Sequence, residues 1–272
     1  VPELPEVETI RRDLLPLLTG RTITEAWVSP QAPRLVQLTT PDEFTRQLAG
    51  RRIAGLSRRG KYLIVELDGG LMWVVHLRMT GSLQHHREGC PDTPYLRARF
   101  RLDDGSWLCF VDVRKFGMMW LVDDWALVHP KLGPEPLAEG FDRAAFHALL
   151  RRRSAPIKSV LLDQTVLAGI GNIYADEALF LAGIDPRKPA NRLSRRAVDR
   201  LHAAIVETLQ AALGDRGSSF RDYVDAQGQE GLHQLRVKVF RRTGQPCLAC
   251  GSEIRRVKVA GRSTHFCPRC QR

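Results

Sequence analysis

Four cysteines near the C-terminal end restrict the fold of this chain more than any other feature. Cys247-x-x-Cys250 and Cys267-x-x-Cys270 are separated by sixteen residues, a spacing that suits a four-thiolate metal site. Four thiolates close a zinc tetrahedron and leave no ligand position for water, so the pattern predicts one structural Zn2+ and not a catalytic one. Between the pairs, Ile254 to Val259 and Ser263 to Phe266 alternate around Gly261-Arg262, which predicts a β-hairpin with Arg262 at its tip. From Leu232 to the end, ten Lys or Arg accompany a single Glu. Residues 232–272 are therefore expected to form a basic zinc finger suited to phosphate. Taken alone, Arg262 is equally a solvated turn residue.

The rest of the chain changes its hydrophobic period twice. Val7, Ile10 and Leu14 recur at helical spacing, predicting a helix over about residues 5–15 that ends before Pro16. From Ile23 to Val122 the period is two, with turns at Gly69-Gly70 and Asp104-Gly105, which predicts a β-rich lobe built as a sandwich or flattened barrel. Residues 129–141 lose periodicity and gain prolines, as a semi-rigid linker does. Beyond it, Asp142 and Ser194 are placed to cap helices, and Leu161 to Tyr174 reads as two apolar helices joined by a turn on Gly169 and Gly171. The polar, glycine-rich stretch from Gly214 to Gly231 is expected to be a mobile loop. The expected fold class is α+β in two lobes, with a β-rich domain over 1–128, a helical domain over 142–231 and the zinc finger over 232–272.

A formal charge of +11 and a pI near 9.8 point to a polyanionic partner. The longest wholly apolar runs, Leu71 to Val75 among them, are too short to span a membrane, and a cytoplasmic, nucleoid-associated monomer is expected. Cys90 and Cys109 stand alone in the sequence, which suits a reducing compartment.

The opening, Val1-Pro2-Glu3-Leu4-Pro5-Glu6, admits two readings. In one it starts a helix, with Pro5 in the first turn and acids complementing the dipole. In the other, Val1 is an initiator residue that is trimmed, leaving Pro2 with a free secondary amine. Terminal amines titrate near ~8 and lysines near ~10.4, so such an amine is far more often unprotonated at neutral pH. Its adduct with a sugar C1′ is an iminium with no N–H proton to lose, and therefore an electron sink. Glu3 would then move protons and Glu6 would orient the ammonium or the leaving base.

Several other segments are open in the same way. Met79, in His76-Leu77-Arg78-Met79-Thr80-Gly81, and Phe116, in Asp112-Val113-Arg114-Lys115-Phe116-Gly117, fit core packing as well as a wedge between bases. Arg114 fits a surface ion pair, Lys61 a solvated charge and His76 a satisfied core histidine. Asn172 is placed to cap the helix Ile173 to Leu181, where a phosphate would also sit. Arg153 and Lys158 fit backbone contacts or a solvated face.

Pro2-Glu3-Leu4-Pro5-Glu6-Val7-Glu8-Thr9 resembles, position for position, the start of bacterial formamidopyrimidine-DNA glycosylases. The resemblance continues in order through Lys61, the Met79 and Arg114/Phe116 loops, Gly169-Ile170-Gly171-Asn172 and the terminal zinc finger. It implies a bifunctional glycosylase and apurinic/apyrimidinic lyase acting on duplex DNA that holds an oxidised purine. By resemblance, Pro2 attacks C1′, Glu3 is the main acid and base, and Lys61 and Arg262 assist β- and δ-elimination. Met79, Arg114 and Phe116 fill the void left by the everted base, with Arg114 reading the orphaned cytosine. By the same resemblance His76 and Asn172 contact phosphates, while Arg153 and Lys158 are expected to add backbone contacts on their charge alone.

The sequence departs from the family where Tyr95 replaces a frequent DNA-contacting histidine, and where Leu232-His233-Gln234 and Phe240-Arg241 replace more usual aromatic-Gln and Tyr-Gly pairs. An endonuclease VIII-like enzyme for oxidised pyrimidines is the nearest enzymatic alternative; a catalytically silent DNA-binding protein is the alternative from another class.

Overall fold

The computed structural model describes residues 2–272, so Val1, and with it the question of its removal, lies outside the described residues. The chain divides into two compact units. One holds the residues up to Pro130 together with Asp215–Gln234; the other holds Lys131–Gly214 and Leu235–Arg272.

The first unit opens on α1 (Leu4–Leu18), which runs past Pro16 instead of ending before it. Pro16 lies on the exposed face, where water can satisfy the carbonyl its ring leaves unbonded, while Leu14 and Leu18 on the opposite face are fully buried. Core burial outweighs the lost hydrogen bond. Next come β1 (Ile23–Val28) and α2 (Pro41–Leu48), a helix inside the stretch whose period of two predicts a β-rich lobe. Thr40 caps it by accepting the Glu43 N–H at 3.2 Å, with Pro41 at its first turn, and Phe44 is driven into the core.

The remaining strands are β2 (Ile53–Arg59), β3 (Tyr62–Leu67), β4 (Met72–His76), β5 (Gly81–His86), β6 (Leu96–Leu102), β7 (Trp107–Asp112) and β8 (Met118–Val122). They form two antiparallel four-stranded sheets, ordered β1-β6-β7-β5 and β2-β3-β4-β8. Alternate residues of both sheets meet α1 and α2 in one apolar core, in which the Trp73 and Phe100 rings lie 4.3 Å apart.

Cys90 and Cys109 are not separate thiols. They form a disulfide, with 5.7 Å between their Cα atoms, because the connection between β5 and β6 folds back over β7.

Residues 215–234, assigned from sequence mostly to the helical domain as a mobile loop, pack with the first unit. Tyr223 and Ala226 join its core, and the Ala226 carbonyl accepts the His85 N–H at 2.9 Å.

In the second unit, Asp142 caps α3 (Arg143–Arg151), its carboxylate accepting the Ala145 N–H at 2.7 Å. Then follow α4 (Ile157–Leu162), α5 (Asn172–Ala182) and α6 (Arg195–Gly214). The proline-rich residues before α3 are held down: Gly133 N–H donates to the Gln164 carbonyl and Ala168 N–H to that of Pro134, each at 2.9 Å. The chain ends in a hairpin of β9 (Arg255–Val259) and β10 (Arg262–Phe266). Ala260 and Gly261, with φ of 46° and 75°, make the two-residue turn that matches strand twist.

Candidate active site

In the first unit the start of α1 is a buried polar centre. Pro2, Glu3 and Glu6 are all buried, and the Glu3 N–H donates to Glu6 Oε2 at 2.7 Å. The other carboxylate oxygen of Glu6 accepts the Ser218 N–H at 2.8 Å, so Glu6 ties the loop over 215–234 to the helix that carries Glu3. This close approach requires glycine at 217. Its φ is +86°, and a Cβ there would lie 2.8 Å from Glu6 Oε1. Arg216 adds a second tie, its Nη2 lying 2.6 Å from both Asp13 and the buried Asp225.

Glu8 links the same helix to the turn that carries Lys61. Its Oε2 accepts from Arg58 Nε at 3.1 Å, and Arg58 Nη1 donates to the Gly60 carbonyl at 2.9 Å. Burial pushes the Glu8 carboxyl up, but hydrogen bonds from Arg11 and Arg12 and the charges of Arg11 and Arg58 outweigh it, taking the group down to about 2.

His76 is buried beside the Tyr62 ring, and its Nδ1 accepts the Arg78 N–H at 3.0 Å. Burial, then the charges of Arg78 and Lys61, lowers its pKa to about 3. The ring is therefore neutral at physiological pH, with its proton on Nε2, a neutral donor that suits phosphate.

Met79, Arg114 and Phe116 come together and lie on the surface, which decides between core and surface for the two apolar residues. Met79 is 39% exposed and Phe116 47%. Arg114 joins them, its Nη1 lying 3.1 Å from Met79 Sδ and its guanidinium 4.6 Å from the Phe116 ring centroid. Tyr95 is also exposed, on the connection before β6.

In the second unit two site expectations need correction. Lys158 cannot touch a DNA backbone directly, because its side chain is fully buried: Nζ lies 2.6 Å from Asp176 Oδ1 and donates to the Ser263 carbonyl at 2.9 Å. Asn172 does not cap α5. Gly171 holds the cap position, and the Asn172 amide donates at 3.0 Å to the same Ser263 carbonyl. Both residues thus converge on the residue next to Arg262, which is exposed at the start of β10. Arg153 is partly exposed, 3.8 Å from Asp163.

The residues sequence reasoning missed here are Asp176 and Glu177. Asp176 also accepts the His265 backbone N–H at 2.9 Å, and Glu177 accepts the N–H groups of Lys238, Val239 and Phe240 at 2.7–2.9 Å. Two adjacent acids inside an otherwise apolar helix were the available signal.

The four cysteine sulfurs lie within 4.8 Å of one another. A zinc tetrahedron with bonds of about 2.3 Å needs sulfurs about 3.8 Å apart. Cys247 to Cys270 is 3.9 Å and Cys250 to Cys267 is 3.5 Å, so the donor set fits one structural zinc. Among the described residues, no helix is long and apolar enough to cross a membrane.

Three family models cover most of the chain: the formamidopyrimidine-DNA glycosylase N-terminal domain over residues 1–119, the H2TH domain of the same glycosylases over 132–223, and a zinc finger found in FPG and IleRS over 244–272. The chain belongs to the formamidopyrimidine-DNA glycosylase family. The relative of that name from Heliobacterium modesticaldum is 47% identical over 279 residues, covering 100% of both chains. The one from Moorella thermoacetica is 50% identical over 263 residues, with 95% of each chain covered. Among solved structures, a Lactococcus lactis FPG mutant in complex with Fapy-dG containing DNA matches at a TM-score of 0.92, 41% identity and 100% of both chains. The Lactococcus lactis Fpg with abasic-site DNA matches at 0.91 and 41%, over 99% of each. The two-sheet lobe, the helical region and the four-cysteine hairpin are thus the architecture of this glycosylase family.

Proposed function

We infer that this chain is a DNA repair enzyme, a bifunctional glycosylase and AP lyase that excises oxidised purines such as 8-oxoguanine and formamidopyrimidines from duplex DNA. The observation that carries this reading is the full-length match to glycosylases of that name, together with solved relatives bound to Fapy-dG and abasic-site DNA.

With Val1 removed, the Pro2 nitrogen lone pair forms a bond to C1′ while the glycosidic bond breaks and its electrons leave with the protonated base; the nitrogen then loses its proton, and its lone pair forms the C1′=N bond as the C1′–O4′ bond breaks and O4′ takes up a proton, opening the sugar ring. The resulting iminium acidifies the C2′ proton, and loss of that proton expels the 3′ phosphate. A second elimination expels the 5′ phosphate. Glu3 is our candidate for the proton transfers, supported by its burial beside Pro2 at a helix N-terminus, where the dipole favours a carboxylate. Glu6 is better read as a positioning residue, since its oxygens hold Glu3 and Ser218 backbone groups. Lys61 and Arg262 are assigned to the eliminations.

Met79, Arg114 and Phe116 are assigned to the void left by the everted nucleotide, and His76, Tyr95, Asn172 and Arg153 to the DNA strands. Lys158 contributes indirectly, by fixing the Ser263 carbonyl beside Arg262. The zinc fixes the hairpin fold. Such an enzyme works on chromosomal DNA, and we place it at the nucleoid.

The test is borohydride trapping on a duplex with 8-oxoguanine opposite cytosine, with the intact mass of the protein read in parallel. A covalent adduct on a chain that starts at Pro2 is expected. No adduct on such a chain would sink the catalytic reading.

A further inference from the structure

The Met79 and Arg114/Phe116 loops both leave strand ends at one corner of the first unit. The segment after β4 crosses to β5 in the other sheet, and the segment after β7 crosses back to β8. In the register between β5 and β7, Gly81 faces Asp112, so Asp112 stands where the two crossings meet. Its side chain is 1% exposed.

All its carboxylate bonds run to these loops. Oδ1 accepts the Thr80 hydroxyl at 2.5 Å and the Arg114 N–H at 3.1 Å, while Oδ2 accepts the Gly117 N–H at 2.8 Å. The Thr80 hydroxyl oxygen in turn accepts the Arg114 N–H at 3.1 Å. The backbone of Asp112 holds a third segment: its N–H donates to the Tyr95 carbonyl at 2.9 Å, and its carbonyl accepts from Nε of the buried Arg97, also at 2.9 Å.

The loops need such a hold. Arg78 and Lys115, each next to a wedge residue, sit at φ of 55° and 58°, a left-handed conformation that persists only where the surroundings enforce it. Gly81 and Gly117 both approach the Phe110 ring, and a Cβ at either would lie 2.9 Å or 2.4 Å from its Cζ. The loops are thus pressed onto one ring and pinned by one carboxylate.

We propose that Asp112 is the positioning residue that sets Met79, Arg114 and Phe116 as a single preformed wedge, and thereby fixes both base eversion and discrimination of the opposite base. This rests on the glycosylase reading above. A carboxylate is required because both oxygens must accept. An amide at this position keeps one acceptor and turns an NH2 group against a backbone N–H or the Thr80 hydroxyl. Thr80 is the second half of the device, the one side chain that joins the carboxylate to both loops.

The test compares D112N, T80V and T80S with the wild-type chain in single-turnover assays, using 8-oxoguanine opposite cytosine or adenine and a preformed abasic site opposite cytosine. Fold is checked by near-ultraviolet circular dichroism. D112N and T80V are expected to lose about tenfold in base excision and most of the preference for cytosine over adenine, while abasic-site cleavage falls less. T80S, which keeps the hydroxyl, is expected to restore both ratios. A merely structural role would lower all three rates together. Wild-type ratios retained within about twofold in D112N and T80V, or a uniform fall in every rate, would overturn the proposal. Should D112N fail to fold, T80V and T80S decide alone. An inactive wild-type chain starting at Pro2 would sink the glycosylase reading, and the positioning role with it.

Discussion

Lys158 and Asp176 form an ion pair of 2.6 Å in which neither side chain has any exposed surface. Asp176 also holds the backbone of His265, and Lys158 the carbonyl of Ser263, so one buried pair joins α4 and α5 to the zinc-finger hairpin beside Arg262.

Breaking that pair from the lysine side leaves the Asp176 carboxylate buried with its His265 bonds but without the ammonium on its other oxygen. Lys158→Met is expected to destabilise the second unit by about 3–5 kcal/mol, whereas replacing both partners with apolar residues of similar volume recovers much of the loss. Urea unfolding of the single and double variants measures this. Additive losses in the double variant would show that the two charges do not depend on each other.

Glu6 and Gly217 hold the 215–234 loop against α1. Gly217→Ala forces a side chain into a left-handed backbone and toward Glu6 Oε1, at a cost of about 1–3 kcal/mol in local closure. Hydrogen exchange at the Ser218 amide should therefore speed up in Gly217→Ala and in Glu6→Ala, which removes the acceptor. Unchanged protection would mean that the loop is held by other contacts.

Acid should weaken the first unit through two groups. The folded pKa of His76 is lowered from 6.5 to about 3, so the unfolded chain binds a proton that the folded one refuses, and stability is lost as pH falls from about 6.5 toward 3. Glu8 is lowered from 4.5 to about 2; its contribution is complete above 4.5 and lost as pH falls through about 2. The effect is on the order of 5 kcal/mol for His76. For Glu8, buried against the guanidiniums of Arg11, Arg12 and Arg58, it is on the order of 3 kcal/mol. His76→Gln and Glu8→Gln should flatten the acid limb of stability measured by urea midpoints. Curves parallel to wild type would reject the assignment.

The sequence by itself determined the features that depend on local periodicity and on fixed spacing. The cysteine pairs, the hairpin over 255–266, the period-two lobe and the opening Pro-Glu pair are all short-range patterns, and a thiolate spacing admits few geometries. Local rules gave wrong answers where burial acted against them. Pro16 reads as a stop because the ring removes an N–H, yet the helix continues to bury Leu18. Asn172 reads as a cap because its side chain suits one, yet a carbonyl 91 residues further along the chain claims its amide.

Only the tertiary structure decided which charges are working surface and which are struts. Lys158 and Arg262 look alike in sequence as basic residues near glycine or small neighbours, but one is sealed against Asp176 and the other is exposed. Asp112, Glu177 and the Cys90–Cys109 bond acquire their partners only when distant segments meet. A buried carboxylate must find donors wherever the fold brings them, and no spacing along the chain encodes which ones those will be.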